Sequence, residues 1–147
     1  MPTLLFNGAS SHGLVLSVFL AVLLLFAPAS NDRLAAEQNP SKRSTLALNL
    51  AASALSDASN CYKSGNIHKG DAELDEMVQD LRECVRSLRA AHKSGNYKKA
   101  ELKVASLQRR LHDLVSDLSI ENRGWAAQTE RTVEDIHDQI LTGVMKK

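Results

Sequence analysis

From Tyr97 to Leu118 the apolar residues keep one period: Tyr97, Ala100, Val104, Leu107, Leu111, Leu114 and Leu118 follow one another in alternating steps of three and four. On a helix of 3.6 residues per turn those steps bring every one of them to a single face. A strand would scatter them over both sides of a sheet. A stripe this regular has to be covered by other helices, from its own chain or from another.

Three more segments carry such stripes. Leu48, Ala51, Leu55, Ala58 and Tyr62 line one face between Ser44 and Tyr62. Leu74, Val78, Leu81, Val85 and Leu88, with Met77 and Cys84 beside them, do so in a segment that starts at Asn66 or Asp71 and ends near Lys93. Ala126, Thr129, Val133, Ile136 and Ile140, widened by Leu141 and Val144, do so between Trp125 and Val144. Aromatic residues make up only 4% of the chain, which removes the usual strand-forming content. The expected fold is all-α, an antiparallel up-down bundle of four helices over residues 44–147. Each helix should have roughly 20 residues and each connection about four to eight. At 147 residues the chain has room for one such core.

Charge in the second segment is ordered. Asp71, Glu73, Asp75, Glu76 and Asp80 come early, and Arg82, Arg86, Arg89 and Lys93 come late. That order complements the helix dipole and reads as helix stabilisation. The connections carry a repeated tetrapeptide, Lys63-Ser64-Gly65-Asn66 and Lys93-Ser94-Gly95-Asn96. Gly ends a helix well and Asn starts the next, so both copies read as the same tight reversal, placed at opposite ends of the bundle. Ser119 to Gly124 interrupts the third stripe, with Asn122 and Gly124 available to end that helix.

Before the bundle, residues 30–43 read as a polar linker in which Pro40 blocks a continuing helix. The first 29 residues contain no Asp, Glu, Lys or Arg, and Leu14 to Ala27 is apolar except for Ser17. That run fits a signal-peptide core, and Ala27-Pro28-Ala29 is a small-x-small cleavage pattern. Two other readings stay open: an uncleaved membrane anchor through Leu14 to Ala27, or a core segment of a cytosolic protein. The chain is thus expected to be secreted or periplasmic after cleavage near Ala29, with a membrane-anchored form as the alternative.

Gly95-Asn96-Tyr97-Lys98-Lys99-Ala100 resembles the turn and second-helix start of a tetratricopeptide repeat. The resemblance covers one turn and implies a helix-turn-helix, since the earlier copy lacks the matching Ala. As a whole the chain is similar to small exported helical proteins of unknown function, which implies no mechanism.

Candidate chemistry is sparse. Glu134 and His137 have the Glu-x-x-His spacing of di-metal carboxylate bundles, but the residues three before His68, His92 and His112 are Gly65, Arg89 and Arg109, so no second copy exists. His92, His112 and His137 could converge in a folded bundle as a ligand or metal site. No nucleophile stands beside a suitably spaced base, and no phosphate loop, Cys-x-x-Cys or His-Glu-x-x-His run occurs. Catalytic, cofactor-binding and metal-binding residues are therefore assigned to none. The formal net charge is +1, and no aromatics interleave with Arg82, Arg86, Arg89 and Lys93 or with Lys98, Lys99 and Lys103, so nucleic acid is not an expected partner. Those basic residues read as a solvated face. Trp125 reads as a core or cap residue of the last helix. Cys61 and Cys84 lie too far apart along a tight hairpin to bond. They remain as unpaired thiols, a bridge between chains, or an internal bond allowed by a long first loop. The function expected is non-catalytic, protein-protein interaction or self-association by an exported or membrane-tethered bundle. The alternative is a bundle that binds a ligand or metal through its histidines.

Overall fold

The computed structural model describes residues 29–146, and the apolar run Leu14 to Ala27, read as a signal or anchor, lies outside the described residues. Among the described residues there is no strand. A short helix α1 (Ala29–Ala36) is followed by α2 (Pro40–Lys63), α3 (Ile67–Ala91), α4 (Ser94–Asp117) and α5 (Gly124–Met145).

The polar linker expected over residues 30–43 is replaced by α1 and the first turn of α2. For the early start of α2 the reason is Pro40. It stands at the first helical position, where its missing N–H is no loss and its fixed φ suits the helix. Asn39 completes the start, its Oδ1 accepting from the backbone N–H groups of Ser41 at 3.0 Å and Lys42 at 3.2 Å. Leu34 anchors α1 by burying itself with the core.

All the core residues expected in the four stripes from Leu48 to Ile140 are buried, with Tyr97 and Leu118 partly so. Leu55, Leu74, Met77, Leu81, Leu88, Leu111 and Ile140 are the largest side chains fully withdrawn from water. Burying each contributes about 1.5–3 kcal/mol, which is what holds helices of this length together. On α2 the buried face is built of Ala47, Ala51, Ala54 and Ala58, and these small side chains let α3 lie close along it.

The helices run up and down, as side-chain pairs along each seam demonstrate. In the α2/α3 hairpin, late Tyr62 meets early Asp71 and early Arg43 meets late Glu83. In the α4/α5 hairpin, His112 meets Glu130 and Glu101 meets His137. Between hairpins the pairing is parallel. Ser41–Asn96, Asn49–Lys103 and Ser56–Arg110 join α2 to α4 at separations of 55, 54 and 54 residues. Asp75–Trp125 and Arg89–Gln139 join α3 to α5, both at a separation of 50. The bundle is therefore two antiparallel hairpins laid side by side. Consecutive α3 and α4 meet little beyond their short connection.

The two copies of the tetrapeptide do not do the same thing, which corrects the sequence reading. At the first, Gly65 takes the left-handed conformation at φ +79 and the N–H groups of Ser64 and Asn66 reach back to Asn60 O and Cys61 O. Asn66 then caps α3 by accepting from the N–H of Lys69 at 3.3 Å. At the second, α3 ends earlier, on His92 at φ 50, and Lys93 stands at the cap position. Ser94, Gly95 and Asn96 already belong to α4. Asn96 is needed elsewhere: its Nδ2 donates to Ser41 Oγ at 2.8 Å, tying α4 to the start of α2. The last connection also differs from expectation, since α4 stops at Asp117 and Gly124 opens α5 instead of ending α4.

Candidate functional site

Two grooves of opposite charge flank α3. The first, of about 290 Å³, lies between α2 and α3 and is lined by Asp57, Glu73, Glu76 and Asp80 over a floor of Leu50 and Ala54. The second, of about 320 Å³, lies between α3 and α5, with Arg82, Arg86 and Arg89 along one wall and Asp135 and Gln139 along the other.

The helical period places these charges. Glu73, Glu76 and Asp80 follow one another by three and four, so they share the edge of α3 next to α2. Asp80 sits between the core residues Val78 and Leu81 and is 7% exposed. Burial, and then the charge of Glu76, push its carboxyl up to about 6. Glu73 is also raised, by burial and by Asp57 and Glu76, with Lys69 opposing. No acidic residue lies in the first turn of α3. The dipole fades within a turn, so the reading of all five early acids as helix stabilisation is corrected for Asp80, whose ionised form is penalised where it sits.

The basic face is exposed at Arg82, Arg86 and Arg89. Arg86 bonds Glu83 through Nε at 2.9 Å and Nη2 at 2.5 Å, and Arg89 donates to Gln139 Oε1 at 3.1 Å. Lys103 bonds Asn49 across the α2/α4 seam at 2.9 Å.

The three histidines named from the sequence are kept apart. His92 is exposed in the α3/α4 connection. His112 Nδ1 lies 2.7 Å from Glu130 Oε1, and His137 Nε2 lies 3.2 Å from Glu101 Oε1. His137 thus faces a carboxylate of α4, while Glu134 of its own helix is exposed. Among the described residues no three His, Cys, Asp or Glu side chains are grouped to hold a metal ion.

Trp125 is 49% exposed, with its Nε1 donating to Asp75 at 3.2 Å, so it is neither a core nor a cap residue. Cys61 and Cys84 are both unpaired, and the connection from Lys63 to Ile67 is too short to be the long first loop that an internal bond would need. Cys84 is fully buried, which pushes its thiol up to about 12. Among the described residues no helix is long and apolar enough to cross a membrane.

No family model, curated protein or solved structure matches the chain. The two grooves that flank α3 are the surfaces whose lining is most strongly charged. The acidic one was hidden in the sequence because Asp57 comes from another helix than Glu73, Glu76 and Asp80. The one legible signal was Asp80, an acid placed two residues after one core position and one before the next.

Proposed function

We propose that this chain is an exported or membrane-tethered helical bundle with no catalytic role, which acts by binding another protein or further copies of itself. The observation that carries the reading is the pair of oppositely charged grooves on either side of α3. The four apolar stripes cover one another in the interior, so a partner has to be held from outside. Charges arrayed along shallow grooves select and orient such a partner more than they fix its affinity. A ligand or metal site made of His92, His112 and His137 finds no support in their separate surroundings.

Cross-linking of the intact chain in its native compartment tests this reading. A specific adduct to a protein, reduced when the charges of either groove are removed, is the expected outcome. A chain that forms no adduct under any condition would overturn it. Export is tested separately by sequencing the N-terminus of the mature protein, expected at Ser30. A start at Met1 would instead favour a tether through Leu14 to Ala27.

A further inference from the structure

The acidic groove holds a carboxylate that has no counterpart. Asp80 is buried to 7% exposure and lines the groove, and no hydrogen bond or ion pair among the described residues reaches it. The Asp80 carboxylate meets only the water of the groove, which leaves its charge poorly solvated, and a positive group brought in from outside the fold would offset that cost. Asp57, Glu73 and Glu76 around it select for positive charge.

The shape of the array narrows that charge. Glu73, Glu76 and Asp80 extend over seven residues of α3, about 10 Å at 1.5 Å per residue. A metal ion bonds oxygen at about 2–2.6 Å and cannot span such a row. A row of guanidinium groups can, because each Arg presents a fork of donors that matches a carboxylate.

This molecule carries such a row. Arg82, Arg86 and Arg89 extend over the same seven residues of α3, with steps of four and three where the acids have three and four. Read in opposite directions the two rows have the same spacing, so antiparallel α3 helices bring each acid to one Arg. Within one molecule the rows cannot meet, since one borders α2 and the other borders α5.

We infer that the acidic groove of one copy receives Arg82, Arg86 and Arg89 of a second copy, so that the chain associates head to tail through the two flanks of α3. The inference rests on the reading of the chain as an interaction module and names its partner. Each contact uses a different face of each copy, leaving one acidic and one basic groove free, so association continues beyond a dimer. Exposed arginines make such contacts weak singly and sensitive to salt.

Sedimentation velocity on the intact chain tests this, with two neutralised variants: the acid variant Glu73→Gln/Glu76→Gln/Asp80→Asn and the basic variant Arg82→Gln/Arg86→Gln/Arg89→Gln. At low salt the unaltered chain should form species larger than a dimer, and high salt should weaken association about tenfold or more. Each variant alone should be monomeric. Mixed in equal amounts, they should form a one-to-one pair and nothing larger, because only one complementary contact remains. Circular dichroism verifies folding, and the exposed single changes Glu76→Gln and Arg82→Gln replace any triple variant that melts early. An unaltered chain that is monomeric at every salt overturns the inference. So does a variant that still associates alone, or a mixture that does not pair. A monomeric chain that still yields a specific adduct to another protein in the cross-linking experiment leaves the interaction reading standing, so the two failures are distinguishable.

Discussion

The ring of Tyr97, at the start of α4, lies so closely over Gly143, near the end of α5, that a Cβ on that glycine would overlap it. Glycine in a helix interior ordinarily costs about 1 kcal/mol relative to Ala, and the contact explains why one is kept here. Gly143→Ala is therefore expected to destabilise the bundle by about 1–3 kcal/mol, against the sign of helix propensity. In a Tyr97→Ala background the same change should stabilise. Denaturant melts of the four proteins check the reversal of sign, and a gain from Gly143→Ala with Tyr97 in place would contradict the packing.

The two tetrapeptides make a matched control. Gly65 occupies a left-handed position, so Gly65→Ala should cost about 1 kcal/mol. Gly95 lies in the first turn of α4 with open space around it, so Gly95→Ala should be neutral or stabilising by up to about 1 kcal/mol. Thermal denaturation of the two single variants measures the difference, and equal effects would restore the idea of one reversal used twice.

Asp80 makes stability depend on pH in a direction unusual for a carboxylate. Its folded-state value is raised from 3.8 to about 6, so the folded protein holds the proton more tightly than the unfolded chain does. The penalty is absent below about pH 4, grows as pH rises through about 6 and is complete above it. Asp80→Asn should thus raise the melting temperature at pH 7 and change little at pH 4. About 3 kcal/mol is the upper bound, because the carboxylate faces a groove that water enters. Paired melts at the two pH values decide it, and a stabilisation of the same size at both would remove Asp80 ionisation as the cause.

The thiols should separate by reactivity. Cys84 is fully buried with its thiol pushed up to about 12, whereas Cys61 is partly exposed on α2. In the native protein an alkylating reagent should modify Cys61 at least about a hundredfold faster than Cys84. Cys84 should become reactive only on unfolding. Peptide mapping after timed alkylation reports both rates, and comparable rates would mean that the α2/α3 hairpin opens readily.

Much of the fold was legible in the chain because its signals are local. Leu74, Val78 and Leu81, or Val104, Leu107 and Leu111, mark their helix faces by spacing alone, and each is buried as that spacing requires. The candidate site was legible only in part. Arg82, Arg86 and Arg89 stood out as a row on one helix, but the acidic groove needs Asp57 from α2 opposite Glu73 from α3, and no local pattern joins them. Pro40 and Trp125 each fit two settings. Pro40 opens a helix when Asn39 caps it, and Trp125 lies outside the core with its indole N–H bonded to Asp75.

The sequence by itself determined the all-helical class, the four stripes and the residues that fill the core, since periodicity and apolar side chains act over a few turns of one helix. Only the tertiary structure decided which helices lie side by side. Apolar stripes of equal period are interchangeable, and the arrangement adopted is visible only in contacts such as Asn96 with Ser41 and Arg89 with Gln139, made between residues 55 and 50 positions apart. The same choice separated the two tetrapeptides, leaving Gly65 at a helix end and drawing Asn96 into α4 to reach α2. It also set an acidic groove and a basic groove on opposite flanks of α3, because that helix packs against both α2 and α5.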